Sequence, residues 1–334
     1  MALATGIGSM PGTDQGAYDE AVRLVLHELP DLPHLPEVPG RGAVATITGR
    51  ALALTTGLGA DLQPAGWRLT DAAGVDQRRA VSLLAQDLDG LEEQAQGLSG
   101  AFKIQVAGPW TLAATVEKPR GDKVLSDHGA RRELAQALAE GVRDHVRDVR
   151  RRVPDVTRLV VQVDEPVLPR VLGGGVPTAS GFGRHRSVHP PEVSEALGWV
   201  LDAITAEGGE PWVHSCAAGT PLGLLRGAGA RGLAVDLSQT SAADHDQLAE
   251  ALEAGETVAF GLVPSSAPGP GAGAVPSDTH VTGVLLRWLD MLGLDPGDVA
   301  PQLVLTPTCG LAGATSAWTR TALALVRTSA ANVT

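Results

Sequence analysis

The sequence predicts an α/β protein, and within that class a single (β/α)8 (TIM) barrel domain over residues 1–334. Short apolar runs end abruptly in Gly, Pro, Asp, Ser or Cys, as strands that are buried on both faces do. Helix-like segments follow these runs seven times, and no break in composition divides the chain. With 43% hydrophobic residues, the chain also has ample material for one large core.

The predicted elements alternate along the chain. Strands are expected at 2–9, 101–109, 158–166, 210–217, 231–239, 256–264 and 301–310. Helices are expected at 76–98, 128–152, 190–207, 219–229, 243–254, 279–293 and 314–328. The eighth strand stays open between AVATITG at 43–49 and GWRLT at 66–70. The Gly/Pro-rich stretches 171–183 and 265–277 follow predicted strands, so we expect them to be loops or lids over the active face.

Composition excludes several classes of function. A formal charge of −12 argues against a nucleic-acid partner and against an anionic membrane surface. The sequence has no run of eighteen apolar residues, which a membrane span requires. Two cysteines do not make a disulfide framework, and the first residues lack the basic segment of a signal peptide. We therefore expect a cytoplasmic protein.

Polar side chains stand where the predicted strands end. In a barrel, the carboxyl ends of the strands meet at one rim, where active sites of this fold are built. The residues expected at this rim are Ser9, Asp164, Glu165, His214, Cys216, Asp236 and Cys309.

The stretch WVHSCAAG favours a metal site. His214 and Cys216 are two residues apart on a strand, so both side chains point to the same face. Cys309, the second cysteine, ends another strand. Two thiolates and an imidazole suit zinc better than magnesium or calcium. The alternatives are two ordinary buried cysteines or a cysteine bridge.

Two further motifs allow both a functional and a structural interpretation. The DEP motif at 164–166 could hold a substrate ammonium group, or its carboxylates could cap the next segment. In TGIGSMPGT at 5–13, backbone N–H groups and the Ser9 hydroxyl could bind a carboxylate or phosphate, and the alternative is a tight turn. The glycine spacing there is a poor dinucleotide-binding fingerprint.

Taken in order, the motifs resemble a known family. They are IGSMPGT at 7–13, VAGPWTL at 106–112, VQVDEP at 161–166, HSC at 214–216, VDLSQ at 235–239 and PTCGL at 307–311. Each is weak alone, but six in the same order form a specific signal. The chain resembles the C-terminal catalytic barrel of cobalamin-independent methionine synthase, within the larger group that includes uroporphyrinogen decarboxylase.

The resemblance implies a zinc-dependent transfer of a methyl group to the thiol of homocysteine, which gives methionine. Zinc would be held by His214, Cys216 and Cys309, with Asp236 in place of the family's glutamate as fourth ligand. Ile7, Gly8 and Ser9 would clamp the substrate carboxylate, and Asp164 would bind its ammonium group in the catalytic centre. Coordination to zinc would convert the thiol into a thiolate near neutral pH.

Three departures from the family concern the methyl donor. The sequence holds one barrel where the family has two, Thr115 stands where the family stacks its pterin on tryptophan, and LVPSSAPGPG lacks the family's loop histidine. The donor is therefore left open between a methylated corrinoid protein and methyl-tetrahydrofolate. The alternative functions are a corrinoid-dependent methyltransferase for another thiol and a non-catalytic barrel that binds zinc and methionine.

Overall fold

The computed structural model describes residues 1–269 and 274–333, in which strands and helices alternate. The strands are β1 (Leu3–Ala4), β2 (Gly59–Gln63), β3 (Gly66–Thr70), β4 (Gly100–Ala107), β5 (Val156–Asp164), β6 (Glu210–Ser215), β7 (Gly232–Asp236), β8 (Thr257–Val263) and β9 (Leu303–Pro307). The helices are α1 (Gln15–Glu28), α2 (Ile47–Leu54), α3 (Val75–Gln94), α4 (Pro109–Thr115), α5 (His128–Arg152), α6 (Leu168–Leu172), α7 (Pro190–Ala206), α8 (Leu222–Gly227), α9 (Ala242–Glu253), α10 (Asp278–Met291), α11 (Pro296–Val299) and α12 (Ser316–Ala331).

Seven strands form one parallel sheet in the order β1-β9-β8-β7-β6-β5-β4. All seven overlap the apolar runs that predicted them, with β4 and β5 beginning one and two residues earlier, and their residues are mostly buried. The burial follows from the helices that cover the outer face, as in other parallel sheets. All seven predicted helices are present too, with bounds shifted by up to four residues.

Neither candidate for the eighth strand belongs to the sheet. Residues 43–45 form a turn of 3-10 helix, and α2 begins at Ile47 with the Thr46 hydroxyl accepting a hydrogen bond from the Gly49 N–H. A side-chain cap of this kind favours helix over strand. GWRLT is a strand, but it is β3, which pairs antiparallel with β2 in a separate hairpin. Both expectations were wrong.

An extended segment, residues 33–37, lies between the two edges of the sheet. Leu35 donates its N–H to the Lys103 carbonyl at 2.8 Å on β4, and Glu37 donates to the Gly8 carbonyl at 3.0 Å just beyond β1. Because the segment contacts both edges, the sheet must be curled. Pro33 and Pro36 have no N–H to donate, so only isolated bridges form instead of a strand. The structure therefore has a curled seven-stranded sheet with a bridging segment, and a closed eight-stranded barrel is not established.

Apolar side chains fill the inside of the curled sheet. One cluster joins Leu32, Val160, Trp212, Ala234, Ala259 and Val304, which come from five strands and from the chain just before residues 33–37. Of the predicted loop 265–277, residues 270–273 lie outside the described residues. In the described ranges, the helices are all too short or too polar to cross a membrane.

Candidate active site

A cavity of about 350 Å³ opens where the sheet strands end, and all the predicted functional residues except Asp236 meet there. Its lining includes Ile7, Gly8, Ser9, Asp164, His214, Cys216 and Cys309. A larger depression of about 610 Å³ is lined by the loops around Gly219 and Thr240, and it contains none of these residues. We place the candidate site in the smaller cavity because the titratable groups converge on it.

Strand register places His214 beside Asp164. The two residues are paired across β5 and β6, and His214 Nδ1 lies 2.9 Å from Asp164 Oδ1. Both side chains are buried. The other ring nitrogen, Nε2, is buried without a hydrogen-bond partner among the described residues. A carboxylate on one nitrogen with the other left free is the arrangement that orients a metal-binding histidine.

The two cysteines contact each other in the lining of the cavity. Their Sγ atoms are 3.1 Å apart, well beyond the length of about 2.05 Å in a disulfide, so both are free thiols. A hydrogen bond from Cys216, helped by the charge of His214, lowers the pKa of Cys309 to about 6. The same hydrogen bond, together with burial, raises the pKa of Cys216. The lowered pKa of Cys309 favours the thiolate form, which is the form that binds metals.

These donors fit zinc by their chemistry, although their spacing is not that of a formed site. Two sulfur ligands of a tetrahedral zinc ion lie about 3.8 Å apart, since each Zn–S bond is about 2.3 Å. The thiols would therefore have to separate by roughly 0.7 Å from their 3.1 Å contact. Among the described residues, no group of three or more His, Cys, Asp or Glu side chains has metal-site spacing.

Asp236, the predicted fourth ligand, is not brought together with the other three. It ends β7 but does not line the cavity. Its Oδ1 atom instead accepts hydrogen bonds from the Ser238 N–H at 2.9 Å and from the Ser238 hydroxyl at 2.7 Å. The carboxylate would have to release both bonds to reach a metal ion.

The loop at Ile7, Gly8 and Ser9 presents backbone to the cavity. Their N–H groups donate to no other described residue. Gly8 has a φ of +148°, and a Cβ there would lie 2.6 Å from Cδ of Gln105. Only glycine fits this position without strain. Free amides in succession form an anion-binding concavity.

Glu37 was missed by the sequence reasoning. It follows the bridging segment, is buried, and lines the cavity. Its Oε1 accepts from Gln105 at 3.1 Å and from Arg50 at 3.1 Å. Burial raises the pKa of Glu37, and the Arg50 guanidinium opposes that shift. A lone carboxylate in the proline-rich run PHLPEVP offered no motif that would have singled it out.

The two carboxylates of the DEP motif are used differently. Asp164 lines the cavity, while Glu165 does not. Glu165 accepts hydrogen bonds from the N–H groups of Trp110 and Thr111 and from the Thr111 hydroxyl, all within 2.8 Å. It therefore caps the N-terminus of α4, and burial raises its pKa to about 7. Of the two interpretations, capping applies to Glu165.

Comparison with known proteins shows the family of the chain. Residues 103–332 match the family described as "Cobalamin-independent synthase, Catalytic domain". Among solved structures, the chain is similar to a B12-independent methionine synthase from Shewanella sp. W3-18-1 in complex with selenomethionine. The identity is 14%, the alignment covers 99% of this chain and 97% of that one, and the TM-score is 0.63.

Other comparisons add little. The catalytic domain of a Bacillus sp. JAMB-750 endo-β-1,4-mannanase aligns at 14% identity over 92% of this chain and 83% of that one, with a TM-score of 0.42, too low to support an argument. Comparison with curated proteins gives no match. The family match, in contrast, spans well over half of the sequence. The chain therefore belongs to the cobalamin-independent methionine synthase catalytic-domain family and is a methyltransferase of that type.

Proposed function

We propose that this cavity binds homocysteine and, with zinc held by His214, Cys216 and Cys309, activates its thiol for methylation to methionine. The observation that carries the proposal is the meeting of the free His214 Nε2, the two thiols and the free amides at 7–9 in one cavity. At about 350 Å³ the cavity is near the lower end of the roughly 300–1,000 Å³ typical of ligand sites, which suits a small amino acid.

Each end of the amino acid finds a matching group. The amides of Ile7, Gly8 and Ser9 would receive its carboxylate, since they line the cavity and have no other partner. Asp164, as the sequence suggested, and also Glu37, would attract its ammonium group. The side chain would then extend toward Cys216 and Cys309.

The chemistry at the thiol end needs a deprotonated sulfur. Zinc, when bound, lowers the pKa of a coordinated thiol, so that a thiolate exists near neutral pH. Asp164 fixes the ring of His214 so that Nε2 faces the ligand position. The protein's remaining contribution is to align the sulfur with the methyl group to be attacked. Asp236 stays a proposal as fourth ligand, conditional on release of Ser238.

The donor that we propose is methyl-tetrahydrofolate. The family's description as cobalamin-independent speaks against the methylated corrinoid protein that the sequence left open. In the transfer, a bond forms between sulfur and the methyl carbon as the carbon–nitrogen bond of the donor breaks. The released nitrogen takes up a proton.

A methyl-transfer assay tests this function. Zinc-supplemented wild type is given homocysteine and ¹³C-methyl-tetrahydrofolate, or methylcobalamin in a parallel reaction, and labelled methionine is measured. We expect product from the folate, and loss of at least about a hundredfold in Cys309→Ser, because one thiolate ligand is removed. His27→Ala, an exposed histidine on α1, is the control and should keep full activity.

The other outcomes of this assay decide between the alternatives. Product from methylcobalamin alone would overturn the donor proposal. Binding of methionine and zinc with no product from either donor would favour the non-catalytic barrel.

A further inference from the structure

Lys103 is a buried cation beneath the candidate site. It lies on β4 with no solvent exposure. Its Nζ donates to the Ile7 carbonyl at 2.9 Å, to Gln162 Oε1 at 3.0 Å and to Gln105 Oε1 at 3.4 Å. All three acceptors are neutral, and the described residues include no salt bridge to Lys103 within 4.0 Å. A buried ammonium without an ion pair is costly, so its position calls for a functional reason.

Within the described part of the chain, the Ile7 carbonyl accepts hydrogen bonds only from side chains that lie outside the cavity lining. Besides Lys103, it accepts from the amide of Gln162 at 2.9 Å. Neither Lys103 nor Gln162 lines the cavity, whereas Ile7 and Gly8 do. In a trans peptide the N–H points opposite to the C=O of the same group, and the described chain has no cis bond. Because Lys103 and Gln162 hold the Ile7 carbonyl away from the cavity, the Gly8 N–H points toward the cavity.

A cation on the carbonyl also strengthens the amide as a donor. Hydrogen bonds polarise one another along a chain, and charge-assisted ones are about twice as strong as neutral ones. The series from Lys103 Nζ through the Ile7–Gly8 peptide ends at the free Gly8 N–H. An anion placed there would complete the series and would also be attracted by the buried positive charge.

We propose that Lys103 is a positioning residue for the substrate carboxylate: through the Ile7 carbonyl it orients and polarises the Gly8 N–H, and its charge makes the loop at 7–9 selective for an anion. The proposal rests on the proposed function, in which that loop receives the carboxylate of homocysteine or methionine. Lys103 does not touch the substrate. Its effect should appear only with ligands that carry a carboxylate.

Two ligands that differ only in the carboxylate test this. Methionine and 3-(methylthio)propylamine share the thioether and the ammonium group, and calorimetry gives the Kd of each. For Lys103→Met, which keeps the length but not the charge, we expect the affinity for methionine to fall about tenfold. The affinity for the amine should change by less than about twofold.

Glu37→Gln is the matched comparison, since it alters the ammonium end of the same cavity. It should weaken both ligands by a similar factor. An equal loss of both ligands in Lys103→Met would mean a general structural role and would overturn the proposal. Equal binding of both ligands by wild type would instead show that the loop at 7–9 does not bind the carboxylate. That result would contradict the proposed function.

If Lys103→Met does not fold, the wild-type protein still provides the test. Burial lowers the pKa of Lys103 to about 8, while Asp164 and Glu37 oppose the shift. His34 is the other titratable group that interacts with Lys103. In protein labelled at lysine Nζ, at the Ile7 carbonyl and at the Gly8 amide, NMR should show the Ile7 and Gly8 resonances following the Lys103 Nζ titration. Ile7 and Gly8 resonances that do not change as Lys103 titrates would contradict the proposal.

Discussion

At the scale of single residues, the contact between Asp164 and His214 connects the two halves of the proposed site. Asp164 Oδ1 lies 2.9 Å from His214 Nδ1 and also accepts from Gln162 at 2.7 Å. Gln162 in turn holds the Ile7 carbonyl. The proposed zinc end and the proposed carboxylate end of the cavity are therefore joined by one chain of hydrogen bonds.

Replacing Asp164 by Asn should weaken zinc binding. The neutral amide no longer favours the ring orientation and basicity that a carboxylate gives to a metal-binding histidine. We expect a loss of about 10–100-fold in zinc affinity, measured by competition with a chromophoric chelator. Asp155→Asn, at an exposed aspartate just before the start of β5, should leave the affinity unchanged. An unaltered affinity in Asp164→Asn would exclude this role.

Sequence patterns identified the residues that end strands but not those that support them. His214, Cys216 and Cys309 could be found because two cysteines and a histidine at strand ends are rare in a chain with so few cysteines. Glu37 and Lys103 could not be found. The role of each depends on contacts between segments that are far apart in sequence, such as the hydrogen bond from Lys103 to Ile7.

At the scale of elements, the turn from β5 into the next segment ties two strand ends together. Glu165 reaches across to the first turn of α4, where three donors bind its carboxylate. Gly108, which precedes α4, leaves room for this, since a Cβ there would lie 2.2 Å from Glu165 Oε1. Glu165 therefore fixes the wall of the cavity next to Asp164.

The pH dependence of stability should report on Glu165. Its pKa in the folded protein is raised from 4.5 to about 7, so the folded state binds the proton more tightly than the unfolded state does. The contribution to stability is thus present below about pH 4.5 and is lost as the pH rises through about 7. Denaturant unfolding of wild type and Glu165→Gln should show their stability difference falling by roughly 3 kcal/mol over this range. Parallel pH profiles would contradict it.

Prediction of elements succeeded where the pattern was long and periodic. The α5 helix was predicted with its observed bounds, because a clear amphipathic run begins there and Asp127 caps it. The connection that follows β1, with helices α1 and α2, was not predicted, because short turns and prolines join these two helices. In the same region, the proline-interrupted segment 33–37 takes the place where an eighth strand was expected.

At the scale of the whole molecule, the site depends on parts of the chain that are far apart in sequence. The family match begins at Lys103, yet Ile7, Gly8, Ser9 and Glu37 come from before it. The bridging segment 33–37 holds these early residues against β4 through paired backbone hydrogen bonds. Pairing of β1 with β9 places the proposed carboxylate clamp beside the Cys309 segment, where the Leu311 N–H donates to the Ser9 carbonyl at 2.8 Å.

The central claim is that homocysteine binds through its sulfur to zinc held in this cavity, and X-ray absorption at the zinc edge tests it most directly. Zinc-loaded wild type should show about two sulfur neighbours per zinc ion, from Cys216 and Cys309, and about three after homocysteine is added. Cys309→Ser should bind zinc weakly or show one fewer sulfur. Failure of wild type to bind zinc, or a sulfur count unchanged by homocysteine, would contradict the account.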